Sequence, residues 1–321
     1  MKKLKIGVMG CSSFARRSMI PALLECDSTE LVCVASRTRE KAEKFAGDFG
    51  CEAVEGYDAL LKVENVDAIY MPIPTGLHER WCTKALTAGK HLLIEKSFAM
   101  DYASAERMLE LARKNNCLIF ENFQFQTHSQ WRAIKDRMTS GELGKVHLVR
   151  STFGFPKLPK GNFRWNKKLG GGALLDAGAY MTKVSQLLLG TGLEVLGASL
   201  TMDPETGVTM YGEAMLRNDA GQVAQVAFGF DYFYQCGVEF LGTKGKLSTN
   251  RVFTAPSGFE PILLIEKQDG AEEIKLPADN HYINMWSWFA EEVTNGDFSQ
   301  HWKTLLDQAR LLEQLRVKSG F

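Results

Sequence analysis

The sequence predicts a two-domain protein: a doubly wound parallel α/β sheet over 1–121, then an α+β domain over 122–321 with a largely antiparallel open sheet and helices on one face. Up to residue 121, short apolar runs alternate with helical stretches, which is typical of parallel β-α-β units. Beyond it, strand-like runs follow one another through short turns, which favours antiparallel pairing. The length of 321 residues is ordinary for two domains.

The strands and helices of the first part follow from apolar periodicity. Apolar runs predict strands at 4–9, 31–35, 66–71, 91–94 and 118–120. Helices are predicted between them at 15–23, 39–49, 78–88 and 102–114. We expect Pro21 to bend the first of these helices and Gly89 to end the third.

The second part is predicted to contain strands at 146–153, 195–202, 209–216, 222–230 and 237–241, after a helix at 174–189. Turn-forming residues at 217–221 and 242–245 predict hairpins between neighbouring strands. The chain closes with helices predicted at 282–294 and 302–318.

Composition excludes several classes of function. Lys plus Arg and Asp plus Glu each number 38, so the net charge is zero and there is no overall electrostatic footprint for nucleic acid. The chain has no run of about 18 apolar residues, so no membrane helix is expected. The seven cysteines are odd in number and lack Cys-x-x-Cys spacing, so we expect core thiols in a reducing cytoplasm and no metal site.

The first predicted strand ends in a turn that matches a dinucleotide-binding fingerprint in degenerate form. Gly10 takes the place of the first glycine, Ser12 replaces the second, and Ala15 is the small third residue. Such a turn places amide groups at a helix N-terminus close to a pyrophosphate. Together with Ser13 and Phe14, it predicts a Rossmann domain that binds a dinucleotide. A serine-capped strand–turn–helix without a ligand would show the same pattern.

The end of the second predicted strand indicates which dinucleotide is bound. NAD enzymes usually place an acidic residue there for the ribose 2′-hydroxyl, whereas this chain has Ser36, Arg37 and Thr38. A guanidinium binds a 2′-phosphate with paired hydrogen bonds, and the two hydroxyls can add donors. The pattern therefore favours NADP(H). The alternative is a solvated helix start with Thr38 as its N-cap.

Two charged residues, Glu95 and Lys96, follow the fourth predicted strand. Ligands of open parallel sheets bind at the carboxyl ends of the strands. Charges at the end of a buried strand are costly unless they are paired or used, so we expect a functional pair here. A surface ion pair is the alternative.

Four segments together resemble the Gfo/Idh/MocA family of oxidoreductases, which includes glucose–fructose oxidoreductase and inositol dehydrogenase. They are the Gly10 turn, 72–78, the pair Glu95 and Lys96, and 170–180. The resemblance covers nearly the whole chain and implies cofactor contacts from Pro72, Ile73, Pro74, His78, Glu95 and Lys96. The family usually reads Glu-Lys-Pro, but here Ser97 follows Lys96, which removes the usual reason to expect a cis peptide bond.

The 170–180 segment narrows the resemblance to one branch. Tyr180 stands where many family dehydrogenases have His, and Lys183 where they have Asp. A tyrosine at the first of these positions is similar to glucose–fructose oxidoreductase and nucleotide-sugar 3-ketoreductases. Asp176, Tyr180 and Lys183 are spaced i, i+4 and i+7, so a regular helix places them on one face. The glycines at 170–172 either let backbone approach a ligand or make a flexible turn. A buried structural tyrosine is the alternative.

Ketone reduction needs a hydride from nicotinamide and a proton for the new alkoxide. Tyr180 is the predicted proton donor, because a phenol with a pKa of about 10 is protonated at neutral pH. Lys96 would stabilise the tyrosinate, and Asp176 would position a substrate hydroxyl or Tyr180 itself.

Four other polar or aromatic residues are weaker candidates. Asn122 and Gln124 are candidate sugar contacts, or they satisfy linker backbone. Arg164 and Trp165 are candidates for a diphosphate and a nicotinamide, or they form a cation–π pair in a surface loop.

The sequence thus predicts an NADP(H)-dependent oxidoreductase that reduces a sugar ketone, with C3 of a nucleotide-linked keto-deoxysugar favoured. A reductase of free sugars or anhydrosugars, a glycosidase that oxidises transiently with bound nicotinamide, and a cofactor-sensing binding protein are the alternatives. A homodimer or homotetramer is expected through an uncovered face of the second sheet that carries Val223, Val226 and Phe228.

Overall fold

The computed structural model describes residues 2–321, which form two compact units. The first unit contains the chain up to Asn122 together with Tyr282–Leu306. The second contains Phe123–His281 and Asp307–Phe321. The predicted second domain ran unbroken from 122 to 321, whereas the structure places 282–306 with the first unit.

The first unit is built on a six-stranded sheet in which every neighbouring pair is parallel. Its strands are β1 (Leu4–Met9), β2 (Thr29–Ser36), β3 (Glu52–Glu55), β4 (Ala68–Met71), β5 (His91–Ile94) and β6 (Ile119–Glu121). Its helices before Asn122 are α1 (Ile20–Glu25), α2 (Arg39–Gly47), α3 (Tyr57–Leu60), α4 (His78–Thr87) and α5 (Tyr102–Lys114). The sequence did not predict β3 and α3, because each has only one buried residue and so shows no apolar run.

The strand order is β3-β2-β1-β4-β5-β6, so the order reverses between β1 and β4. Ligands of such sheets bind outside the carboxyl ends of the strands at this reversal. The predicted cofactor residues directly follow strands whose carboxyl ends share this edge: Gly10 after β1, Arg37 after β2, Pro72 after β4 and Glu95 after β5. One sheet edge thereby gathers residues that are far apart in sequence.

The first helical segment changes geometry at its proline. A π-helical turn, Ala15–Met19, leads into α1, and Pro21 lies in the first turn of α1. The proline follows the π turn directly, and its ring nitrogen has no hydrogen to donate to a helical hydrogen bond. The predicted bend at Pro21 thus takes the form of a change from π- to α-helical hydrogen bonding.

Aromatic packing explains why 282–306 belongs to the first unit. The helix α8 (His281–Asn295) carries Trp286 and Phe289, both fully buried in the core cluster of this unit. The indole nitrogen of Trp286 donates to the carbonyl oxygen of Met19 at 2.8 Å. Its ring also meets the ring of Tyr70 edge-on, with centroids 5.6 Å apart.

The second unit is built on an eight-stranded sheet in the order β14-β13-β12-β11-β7-β10-β9-β8. Only the β10–β7 pair is parallel. Its strands are β7 (Val146–Phe155), β8 (Glu194–Met202), β9 (Thr209–Arg217), β10 (Val223–Phe230), β11 (Gln235–Gly242), β12 (Gly245–Asn250), β13 (Ile262–Lys267) and β14 (Gly270–Lys275). The helices α6 (Gln130–Thr139) and α7 (Ala179–Leu189) belong to this unit, and the last helix is α9 (Ser299–Lys318). The sequence missed α6 and the strands β12–β14; β14 is almost entirely exposed and lacks an apolar alternation.

The uncovered face predicted for β10 combined residues that lie on opposite sides of the strand. Val226 and Phe228 are buried, and Phe228 lies against Gly178, where an added Cβ would approach the ring to 2.9 Å. The neighbouring positions Gln225 and Ala227 are only partly buried. Since strand side chains alternate between faces, Val223 shares the partly buried face with Gln225 and Ala227, and Val226 and Phe228 lie on the opposite, buried face.

None of the helices described within residues 2–321 is both long enough and apolar enough to cross a membrane.

Candidate functional site

The Gly10 turn requires a glycine for two independent reasons. Its φ of +117° is a conformation that L side chains rarely adopt, and an added Cβ would lie 2.9 Å from Cγ2 of Ile73. Next in the turn, the Ala15 amide donates to Oγ of Ser12 at 3.0 Å. Ser12 is thus a helix cap, and its hydroxyl hydrogen remains able to reach an anion. Ser13 is exposed, and the ring of Phe14 lies edge-on to Tyr282 at 6.0 Å.

Three arginines near this edge differ in their partners. Arg16 pairs with Asp48 at 2.5 Å, and Arg39 pairs with Glu43 at 2.7 Å. Within residues 2–321, Arg37 is exposed and no carboxylate forms an ion pair with it. An exposed guanidinium without an internal counter-ion at the end of β2 is suited to a phosphate.

The hydroxyls beside Arg37 differ in exposure. Ser36 is buried, whereas Thr38 is exposed and occupies the N-cap of α2 without a capping hydrogen bond from its side chain. The alternative, a solvated helix start with Thr38 as its N-cap, thus agrees with the position of Thr38, although the side chain makes no capping hydrogen bond.

A hydrogen-bonded cluster forms around Glu95 at the end of β5. The Tyr70 hydroxyl and the Asn122 amide nitrogen both donate to Oε1 of Glu95, each at 2.7 Å. Burial raises the pKa of Glu95, while these two bonds and the charge of Lys96 oppose that rise. Burial and the Glu95 charge raise the pKa of Tyr70 well above its usual value, so Tyr70 remains a donor.

His78 begins α4 and lies against the backbone of the site. It is fully buried, with Nε2 2.8 Å from the Ile73 carbonyl oxygen and Nδ1 3.0 Å from that of Phe98. Burial lowers its pKa, and in the neutral form the ring donates to only one of these two carbonyl oxygens. It therefore ties the turn after β4 to the segment that follows Lys96.

The Lys96–Ser97 peptide bond is cis, so the expectation drawn from the missing proline was wrong. The proline rule describes an isolated dipeptide and does not include the folded surroundings.

Tyr180 is held by aromatic packing in the second unit. It lies in α7, directly after a π-helical turn, Leu174–Gly178, and is 6% exposed. Four phenylalanine rings surround it with centroids 5.0–5.8 Å away: Phe123, Phe125, Phe153 and Phe253. Such packing fixes the ring and keeps water from its faces.

The other residues predicted on this helix lie in different settings. Lys183 is buried in α7, with Nζ 5.8 Å from the ring centroid of Phe123. Asp176 lies within the π turn, whose i→i+5 hydrogen bonds interrupt the regular spacing assumed for a single face. Only Tyr180 and Lys183 share the regular helix.

Asp176 pairs with Arg164, since Nε of Arg164 lies 2.5 Å from Oδ2 of Asp176. The Arg164 guanidinium also stacks on Phe163 at 4.8 Å. An added Cβ on Gly171 would lie 2.4 Å from the Arg164 carbonyl oxygen. The glycine run thus lets two parts of this unit approach each other closely, which brings Arg164 to Asp176.

The remaining candidates are buried to different degrees. The Trp165 indole nitrogen donates to the Pro159 carbonyl oxygen at 3.2 Å, and its ring packs on Phe230. Gln124 is 4% exposed, and Asn122 is fully buried with its amide nitrogen bonded to Glu95. Sequence reasoning missed Tyr70, because a tyrosine inside an apolar strand gives no sign that its hydroxyl meets a carboxylate.

Among residues 2–321, no group of three or more His, Cys, Asp or Glu side chains is arranged to hold a metal ion.

Family comparison agrees with the two-unit architecture. The family model described as an oxidoreductase family with an NAD-binding Rossmann fold matches residues 4–123, and the model of the Gfo/Idh/MocA C-terminal domain matches 131–248. The chain therefore belongs to the Gfo/Idh/MocA oxidoreductase family. The resemblance, the fold class and the enzyme class predicted from the sequence are confirmed.

Individual relatives are similar along nearly their whole length. The dTDP-3,4-didehydro-2,6-dideoxy-alpha-D-glucose 3-reductase of Actinomadura kijaniata is 40% identical over 98% of this chain and 95% of its own. An enzyme of the same name from Saccharopolyspora spinosa is 39% identical over 92% and 89%. The crystal structure of KijD10, a 3-ketoreductase from Actinomadura kijaniata in complex with NADP and TDP-benzene, has a TM-score of 0.95 and 39% identity, covering 99% of this chain and 98% of that one.

Proposed function

We propose that this protein is an NADP(H)-dependent ketoreductase that reduces the C3 ketone of a TDP-linked keto-deoxysugar. The observation that carries the proposal is the end-to-end similarity to 3-reductases of such sugars. Arg37, exposed at the end of β2 and without an internal counter-ion, supports the preference for NADP(H).

The residues of the first unit suit the cofactor. Bound NADPH supplies the hydride, and the Gly10 turn and Arg37 would hold its phosphates. Pro72, Ile73 and Pro74 follow β4 at the same sheet edge, and Ile73 packs against Gly10. These residues bind and orient; they take no part in bond making.

We assign the proton step to Tyr180. The phenol donates its proton to the alkoxide oxygen formed at C3, and the phenylalanine rings around it exclude water that would compete. We assign to Lys96 the role of stabilising the negative charge that passes from the alkoxide to the phenolate. Proton donation and charge stabilisation together complete the reduction.

Arg164, Asp176 and Lys183 are assigned to the substrate. Nε of Arg164 bonds to Asp176, and a guanidinium is a suitable partner for a diphosphate oxygen. Asp176 is then oriented to accept a hydrogen bond from a sugar hydroxyl. Lys183 would add a cation on the same helix as Tyr180.

The test is turnover with NADPH and a TDP-linked 3-keto-deoxysugar. Turnover is measured through the loss of NADPH absorbance and through analysis of the product. We expect one NADPH consumed per sugar reduced, and much weaker turnover of the same ketosugar without TDP. Equal turnover of the free sugar would favour the free-sugar reductase. Sugar release without net NADPH consumption would favour the glycosidase, and cofactor binding without any turnover the sensor.

We further propose a homo-oligomer formed through the outer face of the second sheet. A shallow groove of about 670 Å³ lies there across β7–β10, and its lining includes Leu196 and Met215, which are 37% and 39% exposed. Exposed apolar side chains on a sheet face favour association with a second copy. A mass in solution that stays monomeric at micromolar concentration, or that is unchanged in Met215→Lys, would contradict this.

The seven free thiols support a reducing, cytoplasmic setting.

A further inference from the structure

Two side chains donate hydrogen bonds to Glu95, and both reach the same carboxylate oxygen. The Tyr70 hydroxyl and the Asn122 amide both end on Oε1, at 2.7 Å each. These donors come from β4 and from the residue directly after β6, the two strands that flank β5 in the sheet. One carboxylate oxygen therefore accepts hydrogen bonds from both sides of β5.

The orientation of the Asn122 amide is fixed by charge. If the amide were turned over, its oxygen would face the Glu95 carboxylate, and two acceptors would meet. With the nitrogen toward Glu95, the Asn122 oxygen is buried and has no hydrogen-bond partner among the described residues. An unpartnered buried acceptor is destabilising. The charge-assisted hydrogen bond from the Asn122 nitrogen to Glu95 offsets that destabilisation.

Tyr70 has no role in the core that requires a hydroxyl. Its ring is fully buried and packs on Trp286, a contact that phenylalanine would make equally well. Within residues 2–321, the hydrogen bond from its side chain goes to Glu95. The oxygen atom of Tyr70 thus acts on Glu95 alone.

We propose that Tyr70 and Asn122 are positioning residues that keep the Glu95 carboxylate ionised and in place next to Lys96, so that Glu95 holds Lys96 in position during ketone reduction. The inference rests on the proposed function for the role of Lys96, but the state of Glu95 itself does not depend on it. The other charged or titratable groups around Glu95 are Lys96 and, from α8, Tyr282. Tyr282 in turn interacts with Ser18 and Arg17.

The sign of the expected effect follows from the two hydrogen bonds. Each lowers the pKa of Glu95 against the rise caused by burial, so removing one makes the carboxylate easier to protonate. In Tyr70→Phe we expect the acidic limb of the kcat/KM profile to move up by about one pH unit, since one unit is a typical effect of a charge-assisted bond. Near the new midpoint kcat/KM then falls several-fold, while the plateau at higher pH changes little.

The matched control is Tyr234→Phe in the second unit, which removes a hydroxyl that lies 2.9 Å from Oγ1 of Thr254. It should keep the profile of the wild-type enzyme. Thermal melting and NADPH affinity show whether each variant is folded. Asn122→Ser, which shortens the donor, provides a second test and should shift the limb in the same direction as Tyr70→Phe.

A double-mutant cycle separates positioning from general damage. If Tyr70 acts through Glu95, adding Tyr70→Phe to Glu95→Gln should produce no further loss, because the carboxylate is already gone. Additive losses would overturn the proposal. So would a Tyr70→Phe limb that coincides with that of the wild type.

The titration of the carboxyl carbon of Glu95, observed by ¹³C NMR and assigned with Glu95→Gln, requires no turnover. An upward shift of this titration in Tyr70→Phe supports the positioning role even if no ketosugar is reduced. An unshifted titration overturns it even in an active ketoreductase. The failure of either proposal can therefore be recognised without the other.

Discussion

The sheet edge of the first unit and the surroundings of Tyr180 in the second are built by opposite means. At the edge, strand ends and tight turns place Gly10, Arg37 and Glu95, and polar contacts hold them. Around Tyr180, apolar rings hold a single hydroxyl-bearing side chain by shape. A turn-built site depends on backbone conformation and charge, whereas a packed site depends on volume. Substitutions of Gly10 and Arg37 should therefore affect cofactor binding, and substitution of Tyr180 the chemical step.

The largest effect is expected for Tyr180→Phe, which keeps the ring in its aromatic surroundings and removes only the proposed proton donor. Loss of a general acid typically lowers the rate 10²–10⁴-fold. We expect kcat to fall by about that factor with NADPH affinity unchanged, measured by steady-state kinetics and cofactor titration. A rate near that of the wild type would show that the proton comes from elsewhere.

The next effect concerns the charge at the end of β2. Arg37→Ala should weaken NADPH binding by roughly tenfold to a hundredfold and leave NADH binding nearly unchanged, because a charge-assisted phosphate contact is lost. Fluorescence titration with both cofactors measures the ratio. Arg39→Ala is the control, since Arg39 already pairs with Glu43. Equal losses for the two cofactors would argue against a 2′-phosphate contact.

Backbone conformation is tested by Gly10→Ala. The positive φ and the 2.9 Å approach to Ile73 together predict a strained turn, with NADPH affinity lower by about tenfold. Gly47→Ala is the matched control, because Gly47 ends α2 and an added Cβ has nothing within 4 Å. If Gly10→Ala bound NADPH as tightly as Gly47→Ala, the turn would not depend on glycine.

The smallest effect concerns stability in acid. Burial, with the nearby His128, lowers the pKa of His281 to about 3 from 6.5, so below pH 6.5 the unfolded chain takes up a proton that the folded chain refuses. Stability is therefore lost as the pH falls from about 6.5, by about 1 kcal/mol per pH unit for this histidine. Thermal melts of wild type and His281→Gln at pH 7.5 and 5.5 measure it. The variant should be less sensitive to acid, and the exposed His147→Gln should behave as wild type.

Local signals accounted for the parts of the structure that the sequence predicted well. The helix at 102–114 was predicted with its observed bounds, because its apolar periodicity begins after Asp101, which caps the helix through the Ser104 amide. The Gly10 turn is likewise a contiguous strand–turn–helix. Short or polar elements such as β3 and β14 carry too few buried positions to show a period.

The sequence by itself determined the order of the strands and helices that carry clear apolar runs, the dinucleotide turn and the family, since each depends on residues that are adjacent or regularly spaced. Only the tertiary structure decided which partners those residues meet. In the folded chain Asn122 and Tyr70 donate to Glu95, and both ring nitrogens of His78 lie against backbone carbonyl oxygens. Phe228 lies on the buried face of β10. Such pairings join strands that are remote in sequence, and hydrogen-bond partners across a sheet leave no periodic trace along a single chain.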